Sequence, residues 1–175
     1  SAQAMAAFGI MSDPNVFISC TNKNPGEGKD PVSESCNNFY VGVSSEDLDG
    51  FEEKNPLNSR VVKSADGSIS EQIYRAGDGE SIPPGLYARE LNEVIRHLEY
   101  AIPYAPEKTA ACLRLLVRYY RTGEVADWRA FNIAWVADSD SIVDQINGFV
   151  EVYVDARGQK GAWEAVVSFL NKDKT

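Results

Sequence analysis

The chain has 175 residues with 17 Lys and Arg against 26 Asp and Glu, a formal net charge of −9. That length suits one domain able to bury about two-thirds of the surface its unfolded form exposes, and the acidic balance disfavours nucleic acid and anionic membrane surfaces as partners. No apolar run approaches the roughly 20 residues a membrane-spanning helix needs. Cys20, Cys36 and Cys112 lack any Cys-x-x-Cys spacing and read as free thiols in a reducing compartment. The first residues lack the positive flank and apolar stretch of a signal peptide, so a cytoplasmic location is expected.

Residues 1–30 read as a flexible N-terminal segment, because Asn, Pro, Gly, Lys and Ser dominate from position 12 onward and offer little apolar surface to bury. Residues 31–175 read as a single α+β domain. Ser44 and Ser45 followed by Glu46 and Asp47 open a short helix that Asn55-Pro56 stops. Two short β runs, 59–63 and 68–75, flank Asp66-Gly67, a strong hairpin signal. Leu91, Val94, Ile95, Leu98 and Ala101 recur at helical spacing, and Leu113, Leu116, Val117 and Tyr120 form a second stripe between Pro106 and Gly123. The short loop between the stripes predicts an antiparallel helical pair. Trp128, Phe131 and Trp135 mark a third helix with its aromatics in the core. Asp138-Ser139-Asp140-Ser141 is expected to cap a further turn carrying Ile142, Val143 and Ile146. The expected class is thus antiparallel strands and hairpins packed with a helical pair and shorter helices.

The most informative stretch is 147–164. Alternation over 149–154 puts Val150, Val152 and Val154 on one face of a strand, expected to be buried, and Phe149, Glu151 and Tyr153 on the other. A glycine-rich turn leads to a second run, 162–170. If the two pair, Glu151, Tyr153 and Glu164 converge.

The residues Asn147-Gly148-Phe149-Val150-Glu151-Val152-Tyr153, with Asp155, Gly158, Lys160-Gly161 and Trp163-Glu164 behind them, closely resemble a stretch of the dipeptidyl peptidase III family, the M49 zinc peptidases, especially their bacterial and plant forms. The resemblance extends to Trp135-Val136-Ala137-Asp138-Ser139-Asp140-Ser141, Tyr119-Tyr120-Arg121-Thr122-Gly123-Glu124, Asn55-Pro56-Leu57-Asn58-Ser59 and Cys36-Asn37-Asn38-Phe39-Tyr40, and thins before about Asp30. It implies that Glu151 grips the free amino terminus of a peptide substrate, that Tyr153 lies against the peptide near the scissile bond, and that Glu164 adds a second carboxylate near the amine. In that family zinc is held by a His-Glu-x-x-Gly-His motif and a later glutamate. The chain contains a single histidine, His97, which cannot supply that ligand set. The expected reading is therefore a part of the substrate-binding lobe that precedes the metal site. It carries no metal, cofactor or catalytic residue of its own, is inactive alone, and has the peptide N-terminus and the remaining lobe of the parent peptidase as partners. A stand-alone peptide-binding module without metal, or part of a fusion with a Nudix domain, are the alternatives.

Other features read as structural. His97 sits beside the apolar stripe of its helix, as a surface residue. Glu46, Asp47, Asp49, Glu52 and Glu53 read as a solvated acidic face, without the spacing of a calcium loop. Gly26-Glu27-Gly28-Lys29 lacks the glycine spacing and Ser/Thr of a P-loop. Arg89-Glu90-Leu91-Asn92-Glu93 resembles the Arg-Glu core of a Nudix box, but Val94 breaks its glutamate pair.

Overall fold

A computed structural model describes residues 3–6, 21–35, 38–139, 141–171 and 174. Asp66-Gly67 turns the chain between β2 (Ser59–Lys63) and β3 (Ile69–Ile73), which pair antiparallel with Arg60 opposite Gln72. The turn closes through Ser64 and Ser68, and the Asp66 carboxylate accepts the Ser68 N–H at 3.0 Å. The two-residue β1 (Tyr40–Val41) adds to β2 in parallel beside the expected antiparallel hairpin, giving the order β1-β2-β3. The expected short helix is a single 3-10 turn, Glu46–Leu48, and a second 3-10 turn, Pro56–Asn58, stands where the sequence predicts its stop.

Helix α1 (Ala88–Ala101) follows, then α2 (Glu107–Thr122) and α3 (Val125–Ala137). Pro106 fixes the start of α2, and Gly123 in the left-handed region (φ 74) ends it by returning its N–H to the Tyr119 carbonyl at 2.7 Å. The Gly123 carbonyl accepts the side-chain amides of Asn55 at 2.7 Å and Asn58 at 3.0 Å. Both asparagines are buried, so the 55–59 motif clamps the helix terminus to the three-stranded sheet.

A second sheet pairs β4 (Val143–Glu151) with β5 (Ala162–Phe169), antiparallel. The strand therefore begins at Val143, where a capped turn is predicted from the sequence, and it ends at Glu151 rather than Val154. Val143 opposite Phe169 and Ile146 opposite Val166 supply the cross-strand pairs that make the extended form preferable to another helical turn. Asp140 of the expected cap lies outside the described residues, as do Cys20 and Cys36.

The larger core gathers Tyr74, Leu91, Ile95, Cys112, Leu116, Val117, Tyr119, Tyr120, Phe131 and Phe149, with Trp128 and Trp135 packed on it. This is the aromatic core position the sequence predicts for α3. A smaller core joins Val32, Phe39, Tyr40, Val43, Leu48 and Val61, and Val154 and Ala162 lean on it. The start of β5 and the turn before it thus bridge both cores.

Candidate functional site

The inner end of the β4–β5 hairpin carries the predicted residues. Phe149 pairs with Trp163 and Gly148 with Glu164, but Glu151 pairs with Ala162 because a bulge falls between Phe149 and Glu151. An extra residue in one strand reverses the facing of everything beyond it. Phe149 and Trp163 stack edge to face at 5.0 Å on one side. Glu151 lies opposite Ala162, which shares its side of β5 with Glu164. The bulge thus moves Glu151 off the face of Phe149, where simple alternation puts it, and brings it to the side of Glu164. Both carboxylates are half-buried.

Tyr153 is not on that strand. It stands in the turn beyond, 66 % exposed. Val150, Val152 and Val154 are half-buried and share no single sealed face, because the regular strand has ended before the last two.

What fixes the turn is a set of buried charges. The Asp155 carboxylate accepts the N–H groups of Arg157 (3.2 Å), Gln159 (2.8 Å) and Lys160 (3.0 Å) and the Tyr40 hydroxyl (3.1 Å). Lys160 is fully buried and donates from Nζ to Glu53, to Ser59 Oγ at 3.1 Å and to the Pro56 carbonyl at 3.3 Å. Arg157 donates to Glu53 as well. Burial pushes the Lys160 ammonium below its ordinary range, and the Glu53 carboxylate opposes that shift. Burial, with Asp155 beside it, pushes the Tyr40 phenol up. Two carboxylates meet two cations, a balance that lets charged groups remain in a dry interior.

Glu53 therefore does not belong to a solvated acidic face; its side chain is 4 % exposed. Sequence reasoning missed this anchor. The signal available was the concentration of Asp155, Arg157 and Lys160 in a turn whose glycines already marked it as built. Gly161 completes the fit: a Cβ there would lie 2.7 Å from the Phe149 carbonyl carbon, and its N–H donates to the Leu57 carbonyl at 2.8 Å.

His97 lies exposed on α1 with the Arg96 guanidinium 3.1 Å from its ring, as expected of a surface residue. Among the described residues no group of three or more His, Cys, Asp or Glu could hold a metal ion. No helix is long and apolar enough to cross a membrane, again among the described residues.

The model of peptidase family M49 matches residues 33–175. Dipeptidyl peptidase 3 of Dictyostelium discoideum is 28 % identical over 131 residues, 67 % of this chain and 19 % of that protein. The Rattus norvegicus protein of the same name is 32 % identical over 98 residues, 55 % of this chain and 13 % of its own length. The solved structure of dipeptidyl-peptidase III from Corallococcus sp. strain EGB superposes with a TM-score of 0.62 at 21 % identity, over 87 % of this chain and 28 % of that one. The structure of DPP III from Caldithrix abyssi gives 0.63 at 18 % identity, over 98 % and 35 %. The chain spans about a fifth or less of these two curated relatives and about a third of the solved ones.

Proposed function

The chain belongs to peptidase family M49, and from that membership we propose that residues 31–175 form part of the substrate-binding lobe of a zinc-dependent dipeptidyl aminopeptidase in the cytoplasm. Its task is to hold the free amino terminus of a peptide. The observation that carries this reading is the bulge that turns Glu151 to the side of Glu164, in the very stretch most similar to the family. A peptide ammonium carries three N–H donors, and two half-buried carboxylates accept them in charge-assisted bonds about twice as strong as neutral ones. Holding the terminus fixes the distance from the chain end to the scissile bond, which makes an exopeptidase. Tyr153, exposed in the turn, lies along the peptide. The residues of this chain do not fit a catalytic zinc, since the lone histidine is an exposed surface group; no hydrolytic step is assigned to them. The outer part of the hairpin, with Val167 and Phe169 more than 70 % exposed, meets the remaining lobe.

The test is Glu151→Gln in the full-length parent, which keeps shape and removes charge. Folding stability should stay within about 1 kcal/mol. The loss in kcat/KM should match a charge-assisted contact, about 1.5–3 kcal/mol or roughly ten- to over a hundredfold. Acetylating the substrate amine should erase most of the difference between wild type and variant. Lost stability with intact kinetics, or undiminished discrimination against acetylated peptide, would make Glu151 structural.

A further inference from the structure

Between the start of α1 and the inner end of the β4–β5 hairpin lies a cavity of about 440 Å³, within the roughly 300–1,000 Å³ typical of small-molecule sites. Four rings form a continuous wall along it. Tyr87 meets Tyr74 at 5.0 Å and 64°, Tyr74 meets Phe149 at 4.8 Å and 47°, and Phe149 meets Trp163 at 5.0 Å and 75°. Each ring is turned against the next, so faces as well as edges border the space. Glu90 also lines the cavity, as does Asn38, whose amide donates to the Tyr87 hydroxyl at 2.7 Å. Glu151, Tyr153 and Glu164 do not line it, but their neighbours Ala162, Val154 and Trp163 do, so it adjoins the site proposed for the peptide terminus.

One wall residue is chemically incomplete. Tyr74 is 3 % exposed, and its hydroxyl has no hydrogen-bond partner among the described residues. Buried polar groups are satisfied as a rule, and an exception calls for a missing partner. Tyr119 carries the other such hydroxyl, but it does not border the cavity. Burial and the neighbouring Tyr87 push the Tyr74 phenol up against the opposing pull of the Arg60 guanidinium, so it stays neutral and can accept as well as donate. Tyr87, at the mouth of α1, is the sole non-glycine residue with positive φ among those described (φ 61). Such backbone strain clusters at ligand sites.

We propose that this cavity binds a small organic ammonium ion with an apolar body. Aromatic faces attract cations through their quadrupole, and the Glu90 carboxylate adds a formal negative charge. Glu90 pairs with Arg89 at 2.9 Å, and the two side chains are 55 % and 90 % exposed, so water screens that pair and the pull of Glu90 on a ligand alike, and the rings carry most of the preference. The Tyr74 oxygen accepts an ammonium N–H that no described protein group supplies. A neutral apolar molecule would leave that hydroxyl unpaired, and an anion would meet Glu90 and a net charge of −9.

The test titrates the whole 175-residue chain with phenethylamine, protonated at pH 7, and with 2-phenylethanol, its neutral counterpart, by calorimetry and NMR. Saturable one-to-one binding is expected, with the ammonium at least about tenfold tighter than the alcohol. Glu90→Gln should reduce that preference without abolishing it. Tyr74→Phe should weaken the ammonium several-fold while the thermal midpoint holds or rises, since the lost hydroxyl had no partner. Equal affinity for the two probes, no saturation at millimolar concentration, an unaltered preference in Glu90→Gln, or the chain's own residues filling the cavity would each overturn the proposal. None of these outcomes bears on Glu151, whose role is read from peptidase kinetics.

Discussion

Glu151 and Glu164 were legible in the sequence as residue types at family positions, yet the side of the hairpin to which Glu151 turns was not. Counting by twos assumes an unbroken strand, and the bulge at Val150 breaks it. Glu53 was illegible for a different reason: its partners lie 104 and 107 residues away in sequence, and no local pattern separates a buried carboxylate from a solvated one. Its burial makes Lys160 a stability residue. Lys160→Met should cost about 3–5 kcal/mol in urea denaturation, because it strips a buried carboxylate of one partner. Pairing it with Glu53→Gln should recover part of that loss, a coupling that a double-mutant cycle reads directly. Cys112 supports a pH prediction. Burial, with Asp138 and Asp144 nearby, pushes its thiol up to about 11, against about 8.5 in an unfolded chain. Between those values the native state keeps a proton that the unfolded state has lost, so the thiol's contribution to stability is full below pH 8.5 and falls as pH rises toward 11. In a Cys20→Ser, Cys36→Ser background, Cys112 should label with a disulfide reagent at pH 8 only as fast as the domain opens. Labelling at the rate of an unfolded thiol would contradict its burial.

Among the elements, the helices were the most readable, since Pro106 and Gly123 punctuate α2 and the apolar stripes have the right period. The β2–β3 hairpin was equally plain from Asp66-Gly67. The first half of β4 was not, because Asp138, Ser139 and Ser141 imitate a helix cap and the pairing that overrules them comes from β5. The inner end of that hairpin depends on Gly161, where the Phe149 backbone leaves no space for a side chain. Gly161→Ala should destabilise the domain by about 1–3 kcal/mol through overpacking, and in the full-length parent it should lower kcat/KM by displacing Ala162, the residue opposite Glu151. An alanine variant with wild-type thermal midpoint would mean that the hairpin end yields where it is drawn as rigid.

For the whole molecule, Val167 and Phe169 stand more than 70 % exposed on β5, the surface proposed above to meet the remaining lobe. After dialysis, less than a stoichiometric amount of zinc should remain with the chain, and no dipeptidyl arylamide should be cleaved; one tightly held zinc per chain would refute that. Val167→Lys and Phe169→Lys should reduce binding of a hydrophobic dye with stability changed by no more than about 0.5 kcal/mol. The buried anchor also bears on the order in which the chain acquires its shape. β4 with β5, and α2 with α3, are neighbours in sequence and close short loops, whereas joining Glu53 to Lys160 closes one of more than a hundred residues. On a ribosome, Glu53, Ser59 and Tyr40 emerge well before Lys160 does. The early-made sheet then serves as the mould against which the turn from Asp155 to Gly161 sets.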